Sequence, residues 1–232
     1  MKLPFEKIYC LHLVEAKDRY DSVLEECDKI NLENEISFWY TSKKPINATI
    51  GDSIQSLHDK YYDKSAIKNK YTYGACFDCA YNHYSIIKQA YIRGLNSILI
   101  IEDDIFFNNN IDILKDIIDN IPYNYDVLKL YNTSIRDVLK QPNVSIFCDY
   151  LYTFKNYFEL LNKNNYKHFY HSTLCYALSR KGMKALIDEY ETNLVAADIA
   201  LNNIRLNEEI NFYTLKANVF CMPKNFTSNI IK

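Results

Sequence analysis

The chain has 232 residues, 48% of them hydrophobic and 24% charged, with a net charge of −2. That length supports one substantial α/β domain, and a sequence pI of about 6.2 gives no electrostatic basis for nucleic-acid binding, which takes a basic patch. Only 4 glycines occur beside 21 tyrosines and 12 phenylalanines, so neither a dinucleotide fingerprint nor a P-loop is present and any phosphate must be held in another way.

Strand and helix patterns alternate from end to end, with no repeat, low-complexity tract or linker, which predicts a single domain over 1–232. Lys7 to Val14 reads as a strand. Asp18 to Ile30 has helical spacing, with Tyr20, Val23, Leu24 and Cys27 on one side. Ile36 to Thr41 is a second strand, and Asp52 to Tyr62 a weaker helix before a polar stretch. Ala75 to Arg93 reads as a long helix whose stripe is Cys76, Cys79, Ala80, His83, Ile86, Ile87 and Ala90, with Gly94 as its C-terminal stop. Ser97-Ile98-Leu99-Ile100-Ile101 is a continuous apolar run, the mark of a strand buried on both faces. It ends at Glu102-Asp103-Asp104. Asn110 can cap a helix carrying Ile111, Leu114, Ile117, Ile118 and Ile121. Asp126 to Tyr131 and Leu174 to Leu178 are further strands. Ser179 can cap a helix through Tyr190, Ala196 to Arg205 is helical, and Asn211 to Phe220 is a last strand.

The opening residues, Met1 to Lys7, contain no long apolar stretch, and no window reaches 18 apolar residues. Seven cysteines, an odd number without a signal sequence, fit thiols in a reducing compartment. The expectation is a cytoplasmic protein without a transmembrane segment. In that compartment the glycosylation patterns at Asn47 and Asn225 carry no meaning.

The acidic triplet is the chemical signal. Adjacent carboxylates repel, and placing them where a buried strand leaves a sheet adds desolvation. A divalent cation offsets both terms, and Mg²⁺ or Mn²⁺ takes carboxylates together with substrate phosphates. Ligands of open α/β sheets also bind at the carboxyl ends of the strands. In extended backbone Glu102 and Asp104 share a side, fit to hold one metal, while Asp103 faces the other way toward a hydroxyl or backbone group. The plainer reading is a solvated acidic loop. Other singled-out residues also have plain readings: His83 a satisfied core histidine, His168 and His171 surface residues, Arg19 a surface ion pair and Asp198 a helix N-cap. Cys76, Cys79 and His83 share chemistry suited to zinc, but no second Cys or His pair completes a set, so a core stripe is preferred.

Several segments in order resemble glycosyltransferase family 25, which includes lipooligosaccharide and collagen galactosyltransferases. They are Ile8 to Arg19, Gly74 with Cys79-Ala80 and His83, Leu99 to Ile105 with its Glu-Asp-Asp, Leu174 to Gly182, and Ala197-Asp198. His12 and Val14 stand where Asn and Asp are usual, and Asn82 replaces Ser before His83. The resemblance implies a GT-A-like α/β fold with a mostly parallel central sheet flanked by helices. It further implies an inverting enzyme that transfers a hexose, galactose or glucose, from a UDP-sugar to a hydroxyl of a glycan, lipid-linked sugar or protein. Glu102 and Asp104 would hold Mn²⁺ or Mg²⁺ in a DxD-like motif. Asp103, Arg19 and His12 would line the nucleotide pocket, and Asp198 would be the catalytic base. Two other functions are set against this one. An aspartyl-phosphate phosphatase would need an Asp where Glu102 stands. A non-catalytic sugar- or nucleotide-binding protein would keep the fold without turnover.

Overall fold

The computed structural model describes residues 3–30, 35–41, 73–107, 111–131, 144–146, 149, 151–154, 172–192, 195–205, 207–215 and 220–221. The helix expected over 52–62, nearly all of the polar stretch after it, both glycosylation patterns, Asn110, His168 and His171 lie outside them. Strands are β1 (Lys7–Leu13), β2 (Ile36–Thr41), β3 (Ser97–Glu102), β4 (Phe106–Phe107), β5 (Val127–Lys129), β6 (Val144–Ile146), β7 (Leu151–Phe154), β8 (Cys175–Ser179), β9 (Phe212–Leu215) and β10 (Phe220–Cys221). Helices are α1 (Lys17–Asp28), α2 (Tyr73–Ile92), α3 (Ile111–Asp119), α4 (Arg180–Thr192) and α5 (Ala197–Ile204). Among the described helices, none is long and apolar enough to cross a membrane.

The described strands form an eight-stranded sheet in the order β2-β1-β3-β8-β5-β9-β7-β6, and β4 pairs with β10 in a separate ribbon. The α/β expectation holds, but the sheet is mixed rather than mostly parallel. β1 runs parallel to β2 and β3, and β5 parallel to β9. β8 runs antiparallel to both its neighbours, β3 and β5, and β7 antiparallel to β9 and β6. Hydrophobic patterning cannot report this, because a strand buried on both faces reads the same in either direction. β6 and β7 have no counterpart among the expected strands.

Side chains alternate between two cores. Ile8, Cys10, Leu99, Ile101, Cys175 and Ala177 pack with Val23 and Cys27 of α1 and Leu114 and Ile117 of α3. Tyr9, Leu11, Ile98, Ile100, Tyr176 and Leu178 pack with Ile86, Ile87 and Ala90 of α2, Met183 and Leu186 of α4, and Ala200 and Leu201 of α5. The period of two therefore assigns each strand residue to the α1/α3 face or to the α2/α4/α5 face.

Helix ends follow the expected chemistry. Gly94 sits at φ +80°, where a left-handed residue closes α2, and the Leu95 N–H reaches back 3.2 Å to the Ala90 carbonyl. The Ser179 hydroxyl accepts the Gly182 N–H at 3.1 Å, capping α4, and donates to Asp126 Oδ1 at 3.0 Å. Gly182 is the tightest point of this junction: a Cβ there would lie 1.9 Å from the Asp126 carbonyl oxygen. Backbone cannot yield as a flexible side chain would, so α4 would be forced off β5. Gly182→Ala is expected to destabilise the protein by about 2–3 kcal/mol, the cost of core overpacking, measured by urea unfolding. A loss under about 0.5 kcal/mol, the range of surface substitutions, would show that the helix is not seated this closely.

Candidate functional site

β3 is the central device. Along it Ile98 and Ile100 face the α2 side, and Leu99 and Ile101 the α1 side. Continuing the alternation sends Glu102 toward α2 and Asp103 toward α1, and the contacts agree.

On the α1 side Asp103 is 5% exposed and carries three partners. Its Oδ2 is 3.0 Å from His12 Nδ1 and accepts the Leu13 backbone N–H at 2.8 Å. Its Oδ1 accepts from Arg19 Nη1 at 2.7 Å. The expectation that Asp103 contacts a neighbouring hydroxyl or backbone group is met by that N–H. Arg19 and His12 are both buried, so the plainer reading of Arg19 as a surface ion pair does not describe it. A buried pair of this kind contributes little net stability, but removing one partner strands the other at roughly 3–5 kcal/mol. Beside the node, the His12 ring packs at 5.5–5.9 Å from Tyr20, Phe38 and Tyr40, and Tyr40 is 60% exposed.

Asp104 departs from the alternation. The strand ends at Glu102 and the chain turns at Asp103-Asp104, so Asp104 Oδ2 lies 3.5 Å from the same Arg19 Nη1 that binds Asp103. One guanidinium thus serves two acids. Asp104 is buried, and its Oδ1 has no hydrogen-bond partner. Burial, then the charge of Glu102, push its carboxyl up to about 7, with Arg19 opposing and Asp103 adding to the rise.

On the α2 side Glu102 Oε1 accepts from Thr173 Oγ1 and lies 3.4 Å from His83 Nε2. Burial raises its carboxyl, but His83, then Thr173 and Arg19, more than offset this and the net shift is downward. Thr173 arrives because β8 is antiparallel. That direction brings the start of β8 to the carboxyl end of β3, where the Glu102 N–H donates to the Leu174 carbonyl at 2.9 Å. Ser172, just before, holds φ 97°, an uncommon conformation for a residue with a side chain. His83 is fully buried, with Nδ1 2.7 Å from the Tyr176 hydroxyl.

Asp198 is the second residue of α5, not its N-cap, which is Ala196. Its Oδ1 accepts the Ile199 N–H at 2.9 Å. α5 lies on the same face of the sheet as α2, so Asp198 is on the Glu102 side, apart from the Asp103 node. Beneath it is a residue that sequence reasoning misses. Lys129, in β5, is 2% exposed and falls on this face by alternation. Burial pushes its ammonium down to about 7, with Asp198 opposing and Arg205 adding to the fall. A lone lysine inside Val127-Leu128-Lys129-Leu130 is the available signal, since such a residue is almost never buried without electrostatic cause.

This burial has a pH signature. Folded Lys129 loses its proton near pH 7, whereas the unfolded chain keeps it to about 10.5. Between those values the unfolded state binds more protons, so stability rises with pH. Lys129→Met removes that slope. From about pH 7 to about pH 9 wild-type protein is expected to gain about 2 kcal/mol on the variant in denaturant unfolding. Parallel pH profiles would contradict the burial of an ionisable amine.

The family model "Glycosyltransferase family 25 (LPS biosynthesis protein)" matches residues 5–201. No curated protein sequence matches the chain. Among solved structures, a mannose-1-phosphate geranyltransferase from Thermus thermophilus aligns with TM-score 0.42 and 11% identity, over 90% of this chain and 73% of that one. The galactosyltransferase LgtC, in complex with donor and acceptor sugar analogs, aligns with TM-score 0.41 and 9% identity, over 85% and 70%. Mouse xyloside xylosyltransferase 1 aligns with TM-score 0.39 and 8% identity, over 89% and 83%. The family match spans most of the chain and includes the acidic triplet, the helix before it and the start of α5: the chain belongs to glycosyltransferase family 25.

Proposed function

We propose that this glycosyltransferase is inverting and transfers a hexose, galactose or glucose, from a UDP-sugar to a hydroxyl of a glycan, lipid-linked sugar or protein. The observation that carries the reading is Asp104: a buried carboxyl at the carboxyl end of β3, with one oxygen lacking any hydrogen bond.

That orphaned oxygen fits a divalent cation. Asp104 would be the first ligand of Mn²⁺ or Mg²⁺. Glu102 would be the second, through the oxygen not engaged by Thr173. Such an ion supplies Lewis-acid stabilisation to a departing diphosphate. The chain's own residues do the rest. Arg19, anchored by Asp103, keeps positive charge beside Asp104 and limits the repulsion within the triplet. Asp103 spends its oxygens on Arg19, His12 and Leu13, so it orients the nucleotide pocket by holding Arg19 and His12 in place. The aromatic group of His12, Tyr20, Phe38 and Tyr40 offers ring faces to a base. Asp198, on the Glu102 face of the sheet, would take the proton from the acceptor hydroxyl as it attacks the face opposite the leaving group. Lys129, whose ammonium form Asp198 favours, lies in its neighbourhood.

The protein is expected to be stabilised by a UDP-hexose together with Mn²⁺. At donor about 100-fold above its Kd the gain is about 2.7 kcal/mol, roughly 5–10 °C in Tm. Asp104→Asn should abolish the Mn²⁺-dependent part of that shift; an unchanged shift would remove Asp104 from the donor site. Asp198→Asn should keep the donor Kd within about twofold and lower transfer by roughly 10²–10⁴, read in a UDP-release assay with acceptor. Normal turnover in that variant would rule out the base assignment. Tight donor binding with no turnover in wild-type protein would favour a non-catalytic sugar-nucleotide binder.

A further inference from the structure

We propose that Cys79, His83 and Glu102 form a site for a zinc-type divalent cation, distinct from the ion assigned to Asp104. Cys79 and His83 stand four residues apart on α2, hence on one face of the helix, and Glu102 closes the group from the end of β3. One ligand atom from each lies within 4.8 Å of the other two.

His83 carries the strongest indication. It is 0% exposed, and its Nε2 makes no hydrogen bond although it faces Glu102 Oε1 at 3.4 Å. Its other nitrogen is engaged by the Tyr176 hydroxyl at 2.7 Å. With a cation between His83 and Glu102, the proton would sit on Nδ1, donated to Tyr176, and the Nε2 lone pair would face the ion. Fixing one ring nitrogen so that the other can ligate is the usual arrangement around a metal-bound histidine.

The charges also match. A thiolate and a carboxylate neutralise a doubly charged ion, so the cluster would bury no net charge. Sulfur and imidazole select zinc over Mn²⁺ or Mg²⁺, which favour oxygen. Three protein ligands leave one tetrahedral position for water or a ligand oxygen. The proposal needs no nucleotide sugar and so does not rest on the transferase reading. Glu102 is the one residue the two share, and the cation would fix it at the sheet mouth beside Asp104.

The test uses full-length protein stripped with chelator and titrated with Co²⁺ in the absence of nucleotide sugar. Expected is a near-ultraviolet thiolate-to-cobalt band that saturates at one Co²⁺ per chain and that Zn²⁺ chases away. Cys79→Ser should abolish the band and weaken Zn²⁺ binding at least about tenfold, whereas Asp104→Asn should keep both. If Cys79→Ser does not fold by circular dichroism, Glu102→Gln decides: it should retain the band but weaken Co²⁺ binding about tenfold or more. Absence of the band in wild-type protein, a band unchanged in folded Cys79→Ser, or affinity unchanged in Glu102→Gln would overturn the proposal. Loss of the band in Asp104→Asn would overturn it too, by merging the two sites.

Discussion

The Asp103 carboxylate ties together three elements that are far apart in the chain. It joins the end of β3 to the last residues of β1 through the Leu13 N–H and His12, and to the first turn of α1 through Arg19. His12 and Arg19 are both buried, so the node cannot be solvated in part without stranding a charge. That constraint explains how three consecutive acids are tolerated at the end of an apolar strand. One is neutralised by Arg19, one is paired with Thr173 and His83, and the third is left buried beside the same guanidinium with a raised proton affinity.

The division of the triplet between two faces of the sheet organises the mouth of the fold. On the α1 side lie a cation, an imidazole and aromatic rings, chemistry suited to a nucleotide. On the α2 side lie a thiol, an imidazole, a hydroxyl and, farther along, the Asp198–Lys129 neighbourhood. Asp104, at the turn, leans to the α1 side, 3.5 Å from Arg19. The antiparallel course of β8 makes this possible, because it carries Thr173 to Glu102 and Tyr176 to His83. A parallel strand in that place would present its other end there.

Much of this is legible in residues. The apolar run before Glu102, the Gly94 stop and the Ser179 cap each rest on local physics, and β3, α2 and α4 form within a few residues of their expected spans, whereas the strand expected over Asn211 to Phe220 is split between β9 and β10. His12, Arg19 and Asp103 share one expected pocket and do meet. Alternation separates Glu102 from Asp103 correctly. It fails at Asp104 because its premise, extended backbone, ends one residue earlier. The chemistry of Cys79 and His83 suited to zinc is visible in the chain, where a core stripe is the preferred reading; the carboxylate that stands beside them, Glu102, comes from another element. Lys129 escapes notice because a single charge does not disturb the apolar average of its strand.

The sequence by itself determined most of the strand and helix spans, the double burial of the central strands, and the presence of acids where β3 ends. These depend on interactions within a few residues, and hydrophobic period and capping chemistry are written at that range. Strand direction, the contact of Arg19 with two acids, the meeting of α2 with Glu102, and the burial of Lys129 near Asp198 were decided only by the tertiary structure. All of them pair residues far apart in the chain, and their energies exist only once burial has removed water from between them.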